Sequence, residues 1–110
     1  MLDVCILGTS GKVPLPNRRL SSCTIRVNGS VVLFDCGEGT QVGLRDCAIP
    51  EKRIDVICIT HYHADHVAGL AGVLLAIANA GRTEPVTIIG PAGLGRIINA
   101  TRVFASTLPF

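Results

Sequence analysis

All three histidines of the 110-residue chain fall within the six residues His61-Tyr62-His63-Ala64-Asp65-His66, with a carboxylate among them. Neutral imidazole and carboxylate are the donors that zinc and manganese prefer, so the segment reads as a hydrolytic metal site. On extended backbone His61 and His63 stand two residues apart and point the same way, which suits one metal. Asp65 and His66 lie past the bend where a helix begins and can face a second metal close by. A single-metal hydrolytic site is the competing reading of these residues. A polar loop with incidental histidines is the non-functional one.

Such a segment needs rigid neighbours. Ile54–Thr60 before it reads as an apolar strand, expected to be buried on both faces. After it, apolar residues recur at 67, 70, 71, 74, 77 and 78, which predicts a helix over Val67–Ala80 with Gly81 as its terminating glycine. The cluster therefore belongs at the end of a sheet strand, where open α/β folds bind ligands. Leu2–Leu7 reads as another buried strand. Cys23–Val27 and Val31–Phe34 form a hairpin about the two-residue turn Asn28-Gly29. Asp35-Cys-Gly-Glu-Gly-Thr40 is a glycine-rich loop leading into a short helix through Asp46. Pro85–Gly90 is a further strand, and Leu94–Val103 begins a further helix. Lys12–Arg19, with Pro14 and Pro16, is an exposed loop. The order indicates an α/β sheet covered by helices, within a single domain or less spanning residues 1–110.

Composition narrows the class. Apolar residues make up 48% and charged residues 16%, so the chain forms a core and is not disordered. The net charge of +2 is too small to indicate nucleic acid by itself, and any RNA would have to be held by local geometry. Five cysteines form no C-x-x-C pair and read as buried, reduced thiols of a cytoplasmic protein. Met1–Leu7 does not read as a signal peptide and no apolar run approaches about 20 residues, so no membrane partner is expected.

His61-x-His63-x-Asp65-His66 resembles the signature of the metallo-β-lactamase superfamily. Further matches are Leu7-Gly-Thr-Ser-Gly11, Leu33-Phe-Asp-Cys-Gly-Glu-Gly-Thr-Gln41, Gly81-Arg-Thr-Glu-Pro85 and Ile89-Gly-Pro-Ala-Gly-Leu94. Together these resemble its ribonuclease Z branch over essentially the whole chain. The resemblance implies the amino-terminal half of an αββα sandwich and a zinc-dependent endoribonuclease acting on precursor tRNA. Such an enzyme would cleave after the discriminator base, leaving a 3′-hydroxyl on the tRNA and a 5′-phosphate on the trailer. It also implies two zinc ions (manganese as the alternative), the first on His61 and His63 and the second on Asp65 and His66. Two such metals about 3.5–4 Å apart act as a clamp on the reacting phosphate. Asp65 would also be the general base, and Asp35 would orient a ligand histidine, its alternative being a turn-forming aspartate. A homodimer is implied for the complete enzyme.

Two departures qualify the match. The family's loop Pro-x-Lys-x-Arg-Asn, which helps recognise the tRNA 3′ end, reads here Pro14-Leu-Pro16-Asn-Arg18-Arg19, with proline for the lysine and arginine for the asparagine. Arg18 and Arg19 either hold phosphates or stand as a solvated pair. In addition, no histidine follows His66 and no acid follows Glu84. The family's third histidine, bridging aspartate, last histidine, His-Glu pair and tRNA-gripping arm are therefore not among these residues. The chain is expected to be a fragment that binds zinc weakly and does not cleave RNA alone. Rival readings are a superfamily hydrolase of a small phosphodiester, thioester or lactam, and a short non-catalytic metal-binding protein.

Overall fold

The computed structural model describes residues 1–110. Five strands form one sheet in sequence order: β1 (Leu2–Gly8), β2 (Ser22–Val27), β3 (Ser30–Phe34), β4 (Ile54–Cys58) and β5 (Thr87–Ile89). The pairs β1/β2 and β2/β3 are antiparallel; β3/β4 and β4/β5 are parallel. Val27 pairs with Ser30 across a two-residue turn in which Asn28 (φ 51°) and Gly29 (φ 85°) are both left-handed. That is the hairpin an Asn-Gly pair specifies, because these residues tolerate positive φ.

Four helices complete the layer: α1 (Thr40–Asp46), α2 (Ala64–Val67), α3 (Leu70–Asn79) and α4 (Leu94–Arg102). The core joins α1 and α3 to one face of the sheet, with Leu44, Leu70, Val73 and Ile77 against Val31, Leu33, Ile54 and Ile57. β4 carries one extra residue relative to β3, where Val31 pairs with Ile54 but Val32 with Val56. This bulge turns both Ile54 and Ile57 toward the helices, although they are three residues apart.

β4 is not buried on both faces as its composition suggests. Ile54, Ile57 and Ile59 are buried, whereas Asp55, Val56 and Cys58 are half-buried. The sheet face away from the helices is open along its edge strand, where Leu2, Val4 and Ile6 are each at least 60% exposed. Asp55 accepts hydrogen bonds from Ser30 and, at 2.6 Å, from buried Arg82. Ser30 and then Arg82 hold its carboxyl below the usual carboxylate range. Arg82 also donates to the carbonyls of Lys52, Glu84 and Pro85, tying the starts of β4 and β5 together. The Gly81-Arg-Thr-Glu-Pro85 segment thus has a structural task, with Gly81 at φ 90° just past the end of α3.

The helix expected over Val67–Ala80 is two helices. The chain leaves helical hydrogen bonding at Gly69, whose N–H donates to the Cys36 carbonyl at 2.8 Å. A Cβ on Gly69 would lie 2.0 Å from the Gly37 carbonyl oxygen, so only glycine permits this approach. Gly69→Ala is expected to lower stability by about 3 kcal/mol, the cost of forcing atoms into a packed contact. Urea unfolding of the complete protein checks this; a shift below about 1 kcal/mol would show that the contact is soft. All five cysteines are free, and Cys36 alone is fully buried. Cys5 and Cys58 are only partly so. No helix is long and apolar enough to cross a membrane.

Candidate metal centre

β4 ends at Cys58, and Ile59 N–H donates to the Ile89 carbonyl at 2.8 Å, so the chain leaves the sheet on a fixed course. His63 is extended (φ −64°, ψ 148°) and caps α2, which carries Asp65 and His66 within it. His61, His63 and Asp65 converge, with one donor atom from each lying within 4.8 Å of the others. His66 stands beside them, its ring centroid 4.0 Å from that of His61 and its Nε2 3.5 Å from Asp65 Oδ2. The structure therefore brings all four residues together, three in one tight group and His66 adjoining. Mixed imidazole and carboxylate donors at this spacing fit a divalent zinc-like ion.

Asp35 lies behind the cluster. It is 7% exposed and left-handed (φ 65°), a conformation that aspartate tolerates better than most residues. Its Oδ2 meets His66 Nδ1 at 2.8 Å and accepts from the Thr60 hydroxyl at 2.8 Å. Its Oδ1 accepts from the Thr60 amide at 2.8 Å. The Thr60 hydroxyl in turn lies 3.1 Å from His61 Nδ1. One buried carboxylate thus faces two histidines, His66 directly and His61 through Thr60. With each Nδ1 so engaged, each Nε2 is left for a metal.

The backbone around this carboxylate is interlocked. Cys36 N–H donates to the His66 carbonyl at 2.7 Å. A Cβ on Gly37 would come within 2.4 Å of the Asp65 carbonyl oxygen. The glycine-rich loop and α2 can therefore lie in contact only because that position has no side chain.

From the other side, the loop after β1 reaches Asp65. Lys12 is left-handed (φ 64°), and its amide donates to Asp65 Oδ2 at 3.1 Å. The Lys12 amide foremost, with His66 and His61, holds the Asp65 carboxyl below its ordinary value. A group depressed in this way contributes stability above its unfolded pKa and loses it as pH falls through the folded pKa.

The two arginines line one groove but differ in their partners. Arg19 pairs with Asp46 on α1 and lies over Gly43, where a Cβ would sit 3.1 Å from its Cδ. Its charge therefore has a partner within the fold, where the sequence left Arg18 and Arg19 as either phosphate contacts or a solvated pair. Arg18 is exposed, and its backbone closes a turn with Leu15. It lines a groove with Pro14, Asn17, Glu38 and Val42. Neither Lys12 nor Thr60 was assigned a role from sequence. Thr60, directly before His61, carried a signal in its position; Lys12 acts through its backbone and carried none.

Sheet, helices and cluster define an α/β domain with a candidate metal centre where the chain leaves β4. Residues 17–105 match the model of the metallo-beta-lactamase superfamily, and the chain belongs to that superfamily. It is similar over its whole length to the ribonuclease Z of Agathobacter rectalis, at 57% identity over 110 residues. The same protein of Clostridium acetobutylicum is 54% identical. The chain spans 36% of the length of each of these relatives and corresponds to their amino-terminal part. The crystal structure of human tRNase Z, short form, matches with a TM-score of 0.89 and 41% identity. That match covers 100% of this chain and 42% of the human one. The expected fold, the amino-terminal portion of a metallo-β-lactamase domain, is the one observed.

Proposed function

We propose that the complete protein is a zinc-dependent endoribonuclease that removes the 3′ trailer from precursor tRNA. The observation that carries this reading is 57% identity to a ribonuclease Z in a match that covers the whole chain. His61, His63, Asp65 and His66 would hold two zinc ions, with manganese as the alternative. When bound, such ions lower the pKa of a water nucleophile and offset charge on the reacting phosphate. Asp65 would take the proton from the attacking water, and its carboxyl is already biased toward the ionised form. Asp35 and Thr60 keep the histidines oriented with Nε2 toward the site. A catalytic zinc takes about three protein ligands plus water, so these four side chains leave further ligands to come from elsewhere in the protein. Arg18 would contact a phosphate of the RNA. The same reading places the enzyme in the cytoplasm as a homodimer, which light scattering on the complete protein tests.

The deciding experiment measures metal content and cleavage by the complete protein on a precursor tRNA, with small phosphodiesters and thioesters alongside. Cut tRNA ending at the discriminator base is the expected product. Turnover of the small esters with the RNA left intact would overturn the assignment. Arg18→Ala should raise KM several-fold, leave kcat nearly unchanged and flatten the salt dependence of binding by about one phosphate contact. An unaltered salt slope would remove Arg18 from the RNA interface.

A further inference from the structure

The turn between β5 and α4 grips the residue that separates the first two candidate ligands. Tyr62 lies between His61 and His63, so on extended backbone its ring points away from the side they share. There its hydroxyl donates to the Pro91 carbonyl, and its ring packs against the core. The turn is shaped to receive it. A Cβ on Gly90 would lie 2.9 Å from the Tyr62 hydroxyl, and one on Gly93 would lie 3.7 Å from Cε2. Gly93 is left-handed (φ 97°) and starts α4, so the turn's path is set by the helix it begins. The hydrogen bond from Ile59 to Ile89 fixes the same two segments from the sheet side.

The rings on either side of Tyr62 stand edge to face, with centroids 4.7 Å apart. Thr60 meets one nitrogen of His61, but His63 makes no comparable side-chain hydrogen bond. Its position depends on the backbone, and Tyr62 is the nearest side chain that anchors that backbone. We infer that Tyr62 is a positioning residue: clamped into the Gly90–Gly93 turn, it sets the spacing of His61 and His63 and hence the zinc affinity of the pair. The inference rests on the metal reading above.

The test uses the complete protein as wild type, Tyr62→Phe, Gly90→Ala and the double variant. Zinc affinity is read by competition with a chelator, together with the melting temperature of the zinc-free protein and kcat and KM. Tyr62→Phe keeps the ring but loses the hydroxyl, and should weaken zinc about tenfold, the scale of groups that orient ligands without touching the metal. The zinc-free melting temperature should stay within a few degrees of wild type, and saturating zinc should restore kcat. Gly90→Ala should also weaken zinc, because its methyl displaces the hydroxyl. The double variant should be no worse than Gly90→Ala, since the atom the methyl strikes is gone. Zinc held equally by wild type and Tyr62→Phe would overturn the inference alone. So would a loss that follows the fall in zinc-free melting temperature, or additive effects in the double variant. A wild-type protein that holds no zinc would overturn the metal reading and the inference with it.

Discussion

Asp65→Ala is expected to reduce kcat/KM on precursor tRNA by about 10⁴-fold, the upper end of what a general base contributes. The same change removes a candidate metal donor. The carboxylate belongs to the tight group with His61 and His63, and it lies 3.5 Å from His66 Nε2. Its loss also leaves the Lys12 amide, held at a positive φ, without its acceptor. Asp65→Asn separates the two roles: it keeps an oxygen donor and the contact to Lys12 but cannot take a proton. That variant should retain more zinc than Asp65→Ala while losing most of the turnover. Substantial cleavage by both variants would show that another group accepts the proton.

The pH dependence follows from the same contacts. With its folded pKa depressed below the ordinary 3.8, Asp65 stays ionised until the solution is more acidic than that. Its contribution to stability is complete above the unfolded value and disappears only as pH falls through the folded value. An acid limb of the rate profile near neutral pH would therefore belong to other groups, and measuring kcat/KM from pH 5 upward checks this.

Asp35→Ala is expected to cost about 1–3 kcal/mol of stability, the scale of leaving hydrogen-bond donors without their acceptor, and to weaken zinc about 10–100-fold. Asp35 lies behind the cluster, where it accepts from both the amide and the hydroxyl of Thr60 and faces His66 Nδ1. Alanine would leave those groups without their acceptor and would also fit poorly at φ 65°. Asp35→Asn tolerates the same backbone, so its stability loss should be smaller. Its amide offers only one oxygen to three donors, so zinc affinity should still fall. Urea unfolding of the zinc-free protein and chelator competition measure the two effects separately. A zinc affinity unchanged in Asp35→Asn would remove Asp35 from the orientation of His66 and His61.

Some of this was legible before any coordinates. The candidate ligands lie within six residues, so their convergence depends on a short stretch of backbone that spacing alone describes. Asn28-Gly29 and Gly81 are similar: each satisfies a local requirement for positive φ that the residue type itself announces. Other features depend on partners distant in the chain. The apolar spacing runs unbroken through Gly69, but a carbonyl from the Asp35–Thr40 loop draws its N–H out of the helix. Arg18 and Arg19 look equivalent in sequence, and only the placement of α1 gives Asp46 to one of them. The apolar run of β4 indicates burial without saying on how many sides, and helices cover one face. Lys12 contributes a backbone amide, which every residue but proline has, so nothing in its side chain marks it. Periodicity and residue type determine what a segment prefers and which groups need partners. The tertiary structure decided which donor meets which acceptor, because those partners compete across distances that no local pattern encodes.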